Sequence, residues 1–326
     1  MEEMRISIAL CTYNGDPYLS ELLESLAGQD FRPYELVVCD DGSTDSTLSI
    51  LNEFEHVAPF PIRIFSNTEN LGVIKNFEKA LSLCTGDYIA PCDQDDVWRP
   101  EKLERLADCL HACGSGDSDG PVLVHSSLEL VNSKLESTGK SYMKYQGLEP
   151  QHKNQYRTLL VQNYIPGCSM LFSADLLTQA LPFPDSTVMH DWWLALIASL
   201  AGTICFEPSR TVLYRQHKGN LTGSASRFSP KTFLYMMMLW PALKTIRRNY
   251  MAASAQAVAA CKRLSENSIN TPIDAANYIE SLSMSRFSTL ASLARGRIGR
   301  ANILRNLTLL IAVLISSRKE PVAKKP

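Results

Sequence analysis

Short β-rich runs alternate with amphipathic stretches along the first 130 residues, and each of the first four runs ends in a polar loop. These runs lie at residues 6–11, 35–39, 62–65 and 88–92. Between the first two, Leu19, Leu22, Leu23 and Leu26 recur at i, i+3, i+4 and i+7, which is one face of a helix. Repeated strand, loop and helix units predict a mostly parallel sheet with helices on both faces.

Local signals place the helix starts. Asp16 before Pro17 is typical of an N-cap followed by a first-turn proline, and Ser43 or Thr44 is positioned to cap the second helix. Pro100 is positioned to start a helix that carries Leu103, Leu106 and Leu110. The pattern therefore predicts helices directly after the polar loops.

The remainder of the chain is less regular. Residues 111–121 read as a surface loop and residues 132–155 as a mobile polar excursion. Strand-like runs return at residues 122–125, 168–172, 204–206 and 212–214, with helices between them. From about residue 228 the sequence is helical, basic and rich in Met and Ala. Glycines and serines near residue 225 indicate a boundary between two parts of the chain.

The charge is divided unevenly along the chain. Residues 1–226 hold 16 basic and 30 acidic side chains, whereas residues 227–326 hold 16 and 4. With 45% hydrophobic and 20% charged residues, the chain of 326 residues has a globular composition, which excludes fibrous and disordered classes. The basic tail indicates contact with something anionic, either a membrane surface or a nucleic acid.

The nine cysteines are scattered and form no C-x-x-C pair. This spacing argues against a disulfide framework and against a thiolate zinc site. Most of them lie in apolar runs, so we expect reduced cysteines in the core of a cytosolic protein.

The apolar stretches of the tail are short. Residues 232–243 and 306–317 contain no charge, but 12 residues of helix reach only about 18 Å against a hydrocarbon core of roughly 30 Å. We therefore expect no membrane span. The N-terminus is acidic before it is apolar, so we expect no signal peptide either.

Two apolar clusters stand out in the tail. They comprise Phe233, Tyr235, Met236, Met237, Met238, Leu239 and Trp240, and then Ile303, Leu307, Leu310, Ile311 and Leu314. Helix packing is one explanation. Flanking arginines and Lys319 offer another, which is a helix lying in a lipid headgroup layer. Nucleic acid is disfavoured because no recognition motif is present and the acidic body would repel it.

Polar residues concentrate where the predicted strands end, which is where open α/β sheets bind ligands. They form the segments CTYNG at 11–15, CDDGSTD at 39–45 and CDQDDVW at 92–98. Neither G-x-G-x-x-G nor the P-loop motif is present, so a dinucleotide fold and a P-loop phosphate site are not indicated.

Three carboxylates, those of Asp93, Asp95 and Asp96, fall within four residues after a buried run. Their repulsion is costly unless a cation neutralises it, and hard oxygen ligands suit Mg²⁺ or Mn²⁺ bound with substrate phosphates. The alternative is an acidic loop that favours the next helix start, and the same alternative applies to Asp40 and Asp41.

The motifs together resemble family 2 glycosyltransferases with the GT-A fold. The resemblance covers roughly residues 4–220 and rests on TYN after the first strand, DDGSTD after the second, ENLG at 69–72 after the third, and GDYI followed by DQDD. It implies a GT-A domain over residues 1–225, with a nucleotide-sugar half to about 130 and an acceptor half after it. A basic helical region follows at 226–326.

The resemblance implies an inverting transfer of one sugar from a nucleoside diphosphate donor, dependent on Mn²⁺ or Mg²⁺. Tyr13 then stacks on the base, Asp41 hydrogen-bonds the base, Asp93 contacts the ribose or sugar, and Asp95 binds the metal. The wider set of donor-binding candidates is Thr12, Tyr13, Asn14, Asp40, Asp41, Asn70, Lys75, Asp93 and Arg215.

Three later motifs resemble the acceptor half of that family: PGCSML at 166–171, HDWW at 190–193 and LYRQH at 213–217. Asp191 matches the general base, although its position also suits a helix N-cap. His217 matches a histidine that completes the metal or diphosphate site. Arg215 could pair with a diphosphate or with a structural carboxylate.

The closest likeness is to the rhamnosyltransferase-like branch of bacterial polysaccharide assembly. It implies dTDP-rhamnose as donor and a glycan or lipid-linked glycan as acceptor, with a UDP-hexose or UDP-N-acetylhexosamine donor as the alternative. The Q-x-x-R-W signature of processive members is absent. A catalytically inactive scaffold and a nucleotidyltransferase are the rivals, and the latter should carry a Gly-rich basic loop where CTYNGDPY stands. We expect a cytoplasmic enzyme, peripheral on the inner membrane face, with homo-oligomers possible.

Overall fold

A computed structural model describes residues 4–114, 120–148, 153–217 and 240–316. The strands are β1 Ile6–Thr12, β2 Glu35–Asp40, β3 Ile62–Ser66, β4 Tyr88–Asp93, β5 Val97–Trp98, β6 Val122–Asn132, β7 Ser137–Ser141, β8 Met170–Ser173 and β9 Thr203–Gln216. The helices of the first 217 residues are α1 Asp16–Ala27, α2 Thr47–Glu55, α3 Val73–Leu83, α4 Lys102–Gly114, α5 Tyr142–Gln146, α6 Tyr156–Leu159, α7 Asp175–Ala180 and α8 His190–Ala201. Then follow α9 Trp240–Glu266, α10 Ile273–Met284, α11 Arg286–Arg295 and α12 Ile303–Ile315.

The strands form one mixed sheet in the order β3-β2-β1-β4-β8-β6-β9-β5, with β7 on β6. The first four strands pair in parallel, as the strand and helix alternation predicted. β8 is antiparallel to β4 and β6, while β6 and β9 are parallel. The chain therefore reverses its winding direction at the β1–β4 pair, which is where ligands bind in such sheets.

Helices cover both faces of the sheet, and β1 shows why. Its alternate residues Ile6, Ile8 and Leu10 pack with α1, α2 and α4 in one core. Ala9 and Cys11 belong to a second core on the opposite face. Successive side chains of a strand point to opposite faces, so a strand buried on both sides is apolar at every position.

The second core extends into the C-terminal helices. Tyr250, Ala257 and Leu264 of α9 and Leu309 of α12 are buried in the same cluster as Trp193 of α8. Arg263 of α9 also donates to the carbonyl oxygens of Leu181 and Pro182 at 3.0 and 2.8 Å. The helical region is thus packed against the sheet domain rather than attached only through its linking segment.

Several local predictions were wrong at the level of helix ends. The residue before α1 is Gly15, and Asp16 is the first helical residue. α2 begins at Thr47 after Ser46, and the Ser43 side chain donates to Asp40 instead of capping the helix. The Thr47 N–H donates to the side chain of Asp45, which the sequence analysis did not predict as a cap.

The predicted loops contain regular structure. α4 continues to Gly114, and the supposed mobile excursion at 132–155 contains β7 and α5. The expected runs at 204–206 and 212–214 are parts of the single strand β9, and the run at 168–172 is a 3₁₀ turn, Gly167–Ser169, followed by β8. The boundary near 225 and the cluster at 233–239 lie outside the described residues.

The expectation that the cysteines are reduced fails at one pair. Cys113 at the end of α4 and Cys205 in β9 form a disulfide across 92 residues of sequence. Spacing along the chain could not indicate this pair, because the two cysteines are brought together only when α4 packs on β9. Seven other cysteines are free.

Gly202 illustrates how closely the second half of the sheet is packed. It precedes β9, and the next residue, Thr203, donates its N–H to the Pro121 carbonyl at 2.9 Å. A Cβ on Gly202 would lie 1.9 Å from that carbonyl oxygen. Backbone cannot yield as a flexible side chain would, so no larger residue fits.

We therefore expect Gly202→Ala to lower the free energy of unfolding by about 2 kcal/mol or more, in the range of overpacked sites. Gly114→Ala is the matched control, because a Cβ there would lie an ordinary 3.8 Å from Val122 Cγ2. Chemical denaturation of both variants checks the prediction, and equal stability of the two would contradict it.

Candidate functional site at the carboxyl edge of the sheet

The end of β2 is held by buried hydrogen bonds. Asp40 is fully buried and accepts from Thr12 Oγ1 at 2.8 Å, from the Ser43 N–H at 2.9 Å and from Ser43 Oγ at 2.5 Å. These bonds tie β1, β2 and the following loop together. Thr12 and Asp40, both predicted to bind the donor, here bond to each other and to the loop.

Asp41 is also buried and organises the loop after β3. Its carboxylate accepts from the N–H groups of Leu71 and Gly72 at 2.8 and 2.9 Å and from Asn67 Nδ2 at 2.9 Å. Asn70 donates to the Asp41 carbonyl at 3.3 Å. Both carboxylate oxygens accept hydrogen bonds from the protein, and the contact of Asp41 with the base stays a prediction.

Tyr13 and Asn14 form the surface of this edge. The Tyr13 side chain is 49% exposed, so its ring is open to a stacking partner. Asn14 adopts a left-handed conformation with φ of 48°, which asparagine tolerates better than most residues. Its amide oxygen accepts from the Thr44 N–H at 2.9 Å, and its own N–H donates to Ser43 Oγ at 2.9 Å.

Gln94 joins the ends of β1 and β4 and was missed by the sequence analysis. It accepts from the Tyr13 N–H at 2.8 Å and donates to the Tyr13 carbonyl at 3.0 Å. A Cβ on Gly15 would lie 2.3 Å from Gln94 Oε1, so this glycine leaves the space that the amide fills. The only sequence signal for this role was the place of Gln94 between two aspartates, because its side-chain amide offers both a donor and an acceptor.

Asp95 meets His217 where the loop after β4 and the end of β9 come together, and this part of the edge is called the cleft below. His217 Nε2 lies 2.8 Å from Asp95 Oδ2, and the two side chains are 16% and 20% exposed. Val97 in β5 pairs with Leu213 in β9, and this pairing brings the end of β9 to the loop after β4. The two residues predicted to bind a metal are therefore in direct contact although 122 positions separate them.

Arg215 lies beneath this pair and is only 1% exposed. Its guanidinium donates to the carbonyl oxygens of Asp95 and Ser133, each at 2.8 Å, and to the carboxylate of Glu21. Its backbone N–H donates to Asp96 Oδ1 at 3.1 Å. The side chain thus supports the loop that carries Asp95, and its predicted contact with a diphosphate is untested.

Lys75, another predicted donor-binding residue, projects from α3 and is half exposed. Its ammonium group lies 2.5 Å from Glu78 Oε2 and 3.5 Å from the Phe183 carbonyl oxygen. The pair is at the surface, where such bridges contribute little to stability.

Asp191 is near enough to Asp93 for the two carboxylates to interact. Burial, together with the charges of Asp95 and Asp191, raises the pKa of Asp93 to about 7. Burial likewise raises the pKa of Asp191 to about 6. Hydrogen bonds from the Trp192 and Gly167 N–H groups oppose this rise.

Asp191 is in the first turn of α8, while Met189 occupies the N-cap position without a side-chain cap bond. The alternative role of Asp191 as N-cap is therefore wrong. Asn163, which the sequence analysis did not single out, also hydrogen-bonds the Asp191 carboxylate. Burial lowers the pKa of neighbouring His190 to about 3, so this imidazole is neutral where it stacks on Phe77 at 3.7 Å.

A second group of possible ligands is formed by Asp93, Asp96 and Cys168. Single ligand atoms of Asp93, Asp96 and Cys168 lie within 4.8 Å of one another, and Asp96 Oδ2 is buried with no hydrogen-bond partner. Buried Lys102 is beside them, donating to the Cys168 carbonyl at 2.8 Å with its ammonium 2.9 Å from the centre of the Trp98 ring. Burial lowers the pKa of Lys102 to about 7.

Of the two groups, the Asp95–His217 pair suits a catalytic divalent ion better. Burial raises the pKa of the Cys168 thiol well above its usual value, so it is protonated, and Lys102 can supply positive charge to the carboxylates beside it. A protonated thiol is a poor ligand for Mg²⁺ or Mn²⁺, which prefer oxygen. The Asp95–His217 pair is partly exposed at the cleft, where a diphosphate could reach it.

The family model for glycosyl transferase family 2 matches residues 7–177. The chain belongs to this family. A dTDP-rhamnosyl transferase, RfbG of Shigella flexneri, is 28% identical over 68% of this chain and 76% of its own length. An uncharacterized glycosyltransferase of Haemophilus influenzae is 30% identical over 67% of each chain. The expected family and enzyme class are therefore confirmed for this glycosyltransferase.

A solved structure supports the fold. S. aureus TarS residues 1–349 in complex with UDP-GlcNAc superposes with a TM-score of 0.51 at 20% identity, covering 90% of this chain and 80% of that one. The same protein in complex with UDP gives a TM-score of 0.53 over 95% and 90%. The GT-A fold predicted for this glycosyltransferase is confirmed, together with the helices that follow it.

The two hydrogen bonds between Gln94 and the Tyr13 backbone generate a test of this edge. Gln94→Ala should speed hydrogen exchange at the Tyr13 amide and lower the free energy of unfolding by about 1–2 kcal/mol, the usual contribution of one or two partly exposed hydrogen bonds. Gln179→Ala on α7 is the control. Unchanged exchange in residues 12–15 of the Gln94 variant would show that the contact does not hold Tyr13.

Proposed function

We propose that this glycosyltransferase moves one sugar at a time, with inversion, from a nucleoside diphosphate donor to an acceptor hydroxyl, and that it requires Mn²⁺ or Mg²⁺. The observation that carries the proposal is the position of Asp191. It is a partly buried carboxylate with a pKa of about 6, and it is near enough to the acidic end of β4 for its charge to raise the pKa of Asp93. A general base works best when its pKa lies near the working pH, because it is then ionised in many molecules and still binds a proton strongly.

The transfer needs few protein groups. Asp191 takes the proton of the acceptor hydroxyl while that oxygen attacks the anomeric carbon. The bond from this carbon to the donor's phosphate oxygen breaks, and its electron pair leaves with the nucleoside diphosphate. A single displacement inverts the anomeric centre. Asp93 contacts the ribose or sugar, and the exposed ring of Tyr13 stacks on the base.

The residues at the cleft fit a divalent cation. Asp95 and His217 offer a carboxylate oxygen and an imidazole nitrogen that already converge, and both are partly exposed. When bound, the ion would neutralise the negative charge that develops on the departing diphosphate. Arg215 holds the backbone of Asp95, and so positions one ligand of this pair.

For the donor sugar we propose L-rhamnose carried by dTDP. The support is the name of the Shigella relative, a dTDP-rhamnosyl transferase that matches most of both chains. A UDP-N-acetylhexosamine is the second candidate, supported by the TarS structure in complex with UDP-GlcNAc. An inactive scaffold is disfavoured because Asp95, His217 and Asp191 are present and arranged at one edge.

We further propose that the sheet domain, residues 1–225, divides into a donor half to about residue 130 and an acceptor half after it. Residues 226–326 would place the enzyme on the inner membrane face. Among the described residues, no helix is both long enough and apolar enough to cross a bilayer. Peripheral attachment would confine the enzyme and a lipid-linked acceptor to one surface. The exposed apolar side chains of α12 support this placement.

Metal dependence is tested by calorimetric titration of dTDP, UDP and GDP into the protein, with Mn²⁺, with Mg²⁺ and with EDTA. We expect one nucleotide to bind preferentially, and Asp95→Ala to weaken its metal-dependent binding by about tenfold or more, as is typical of losses around metal sites. Asp108→Ala, which removes an exposed carboxylate on α4, should bind as the wild type does. Equal affinity with metal and with EDTA would contradict the proposal.

The role of Asp191 is tested by its pH dependence. Because the base must be ionised, kcat/KM for the selected donor should fall as the pH drops below about 6. Asp191→Asn should keep donor affinity, lose ~10²-fold or more in rate and lose this acidic limb. Asp175→Asn on α7 is the isosteric control. Retained anomeric configuration in the product, seen by NMR, would exclude the single displacement.

A further inference from the structure

Helix α12 is apolar on two faces. Leu309, Ala312 and Val313 are buried against the rest of the protein. The opposite face exposes a stripe of Ile303, Leu307, Leu310 and Leu314, each at least 41% accessible, with Ile303 at 80%. These positions are spaced i, i+4, i+7 and i+11, so they form one continuous line. The exposed line is referred to below as the α12 stripe.

The stripe begins beside the sheet domain. Asn302 caps α12 by accepting from the Arg305 N–H at 2.9 Å, and its Nδ2 donates to the Gly147 carbonyl at 3.3 Å. Arg305 Nη2 donates to the Gln146 carbonyl at 2.8 Å and to Gln146 Oε1 at 3.0 Å. The first turn of α12 is therefore fastened to the end of α5.

Two arginines lie at this junction without a carboxylate partner among the residues that the structure describes. Arg300 Nη1 donates to Thr308 Oγ1 at 3.0 Å, and its Nε is buried with no hydrogen-bond partner. Burial lowers the pKa of both Arg300 and Arg305, and the charge of Arg305 lowers that of Arg300 further. Two partly desolvated cations in proximity favour binding of an anion.

The junction lies close enough to the proposed base, Asp191, for both to act electrostatically on Tyr142. Burial raises the pKa of Tyr142, the first residue of α5, and the nearby charge of Asp191 raises it further. The charge of Arg305 acts in the opposite direction on the same hydroxyl. The charges of the proposed base and of Arg305 therefore both act on the Tyr142 hydroxyl. An acceptor whose hydroxyl reaches Asp191 could extend past Tyr142 toward Arg305.

We propose that Arg305, reinforced by the charge of Arg300, binds a phosphoryl group of a lipid-linked acceptor while the α12 stripe lies in the lipid surface that carries it. A lipid-linked phosphate combines the two features that meet here, an apolar surface and an anion. The described part of residues 226–326 has an excess of basic side chains, which complements an anionic bilayer. The inference rests on the proposed function and names its acceptor class.

The test measures cosedimentation of the full-length protein with three kinds of vesicle in the presence of EDTA. One consists of phosphatidylcholine, one adds phosphatidylglycerol, and one adds a polyprenyl diphosphate at matched surface charge. We expect the wild type to prefer the polyprenyl diphosphate vesicles. Arg305→Gln should lose about tenfold of that binding, as expected for loss of a charge-assisted hydrogen bond, and Arg305→Lys should retain part of it.

Arg295→Gln is the matched charge control, because Arg295 is exposed near the end of α11. Its loss should lower binding to both anionic vesicles equally. For the stripe, Leu307→Gln with Leu310→Gln should weaken binding to every vesicle, whereas Ile273→Gln, which alters an exposed side chain of α10, should not. Circular dichroism of each variant establishes that it is folded.

Three results would overturn the proposal. The first is equal binding of the wild type to the two anionic vesicles, which would leave only a general attraction to charge. The second is undiminished binding of Arg305→Gln to the polyprenyl diphosphate vesicles. The third is a wild-type dimer, seen by analytical ultracentrifugation, that the paired leucine substitutions dissociate, since this would assign the stripe to a second copy of the chain. The nucleotide titration requires no vesicle and these measurements require neither metal nor donor, so each proposal can fail separately.

Discussion

Crowding of carboxylates at the carboxyl edge of the sheet is the constraint on which the rest of the site depends. Parallel strands bring the ends of β1, β2 and β4 together, and each of the last two ends in aspartates. A buried carboxylate is costly unless hydrogen bonds or cations compensate it. The protein compensates Asp40 and Asp41 with donors from its own loops.

The remaining carboxylates, those of Asp93, Asp95 and Asp191, are in a different environment. Burial and mutual repulsion raise the pKa of Asp93, and burial raises that of Asp191. Asp95 accepts one hydrogen bond from Arg215 at its backbone carbonyl, and its side chain meets His217. The same edge therefore contains one part in which hydrogen bonds shape the loops, and another part whose negative charge a cation or a proton can balance.

The proposed acceptor side depends on elements that are remote in sequence. Tyr142 lies in a segment inserted between β6 and β8, and Arg305 reaches α5 from a helix more than 150 residues further along. The C-terminal helices are held in place by a shared core and by contacts such as the 2.7 Å bond from the Val188 N–H to Gln256 Oε1. Their packing brings positive charge to one side of an acidic cleft.

The sequence by itself determined the parallel β1–β4 region, the polar loops that follow these strands, and the enzyme family, because strand periodicity and short motifs are local properties. It also indicated Asp95, His217 and Asp191 through their motifs. Tertiary structure decided which polar groups face one another: the Gln94 contact with Tyr13, Lys102 beneath Asp96, and the Cys113–Cys205 disulfide. It also decided that Asp40 and Asp41 bond inward and that residues 132–155 contain a strand and a helix. These outcomes depend on the distances and burial created when separate elements pack, and a linear pattern contains neither.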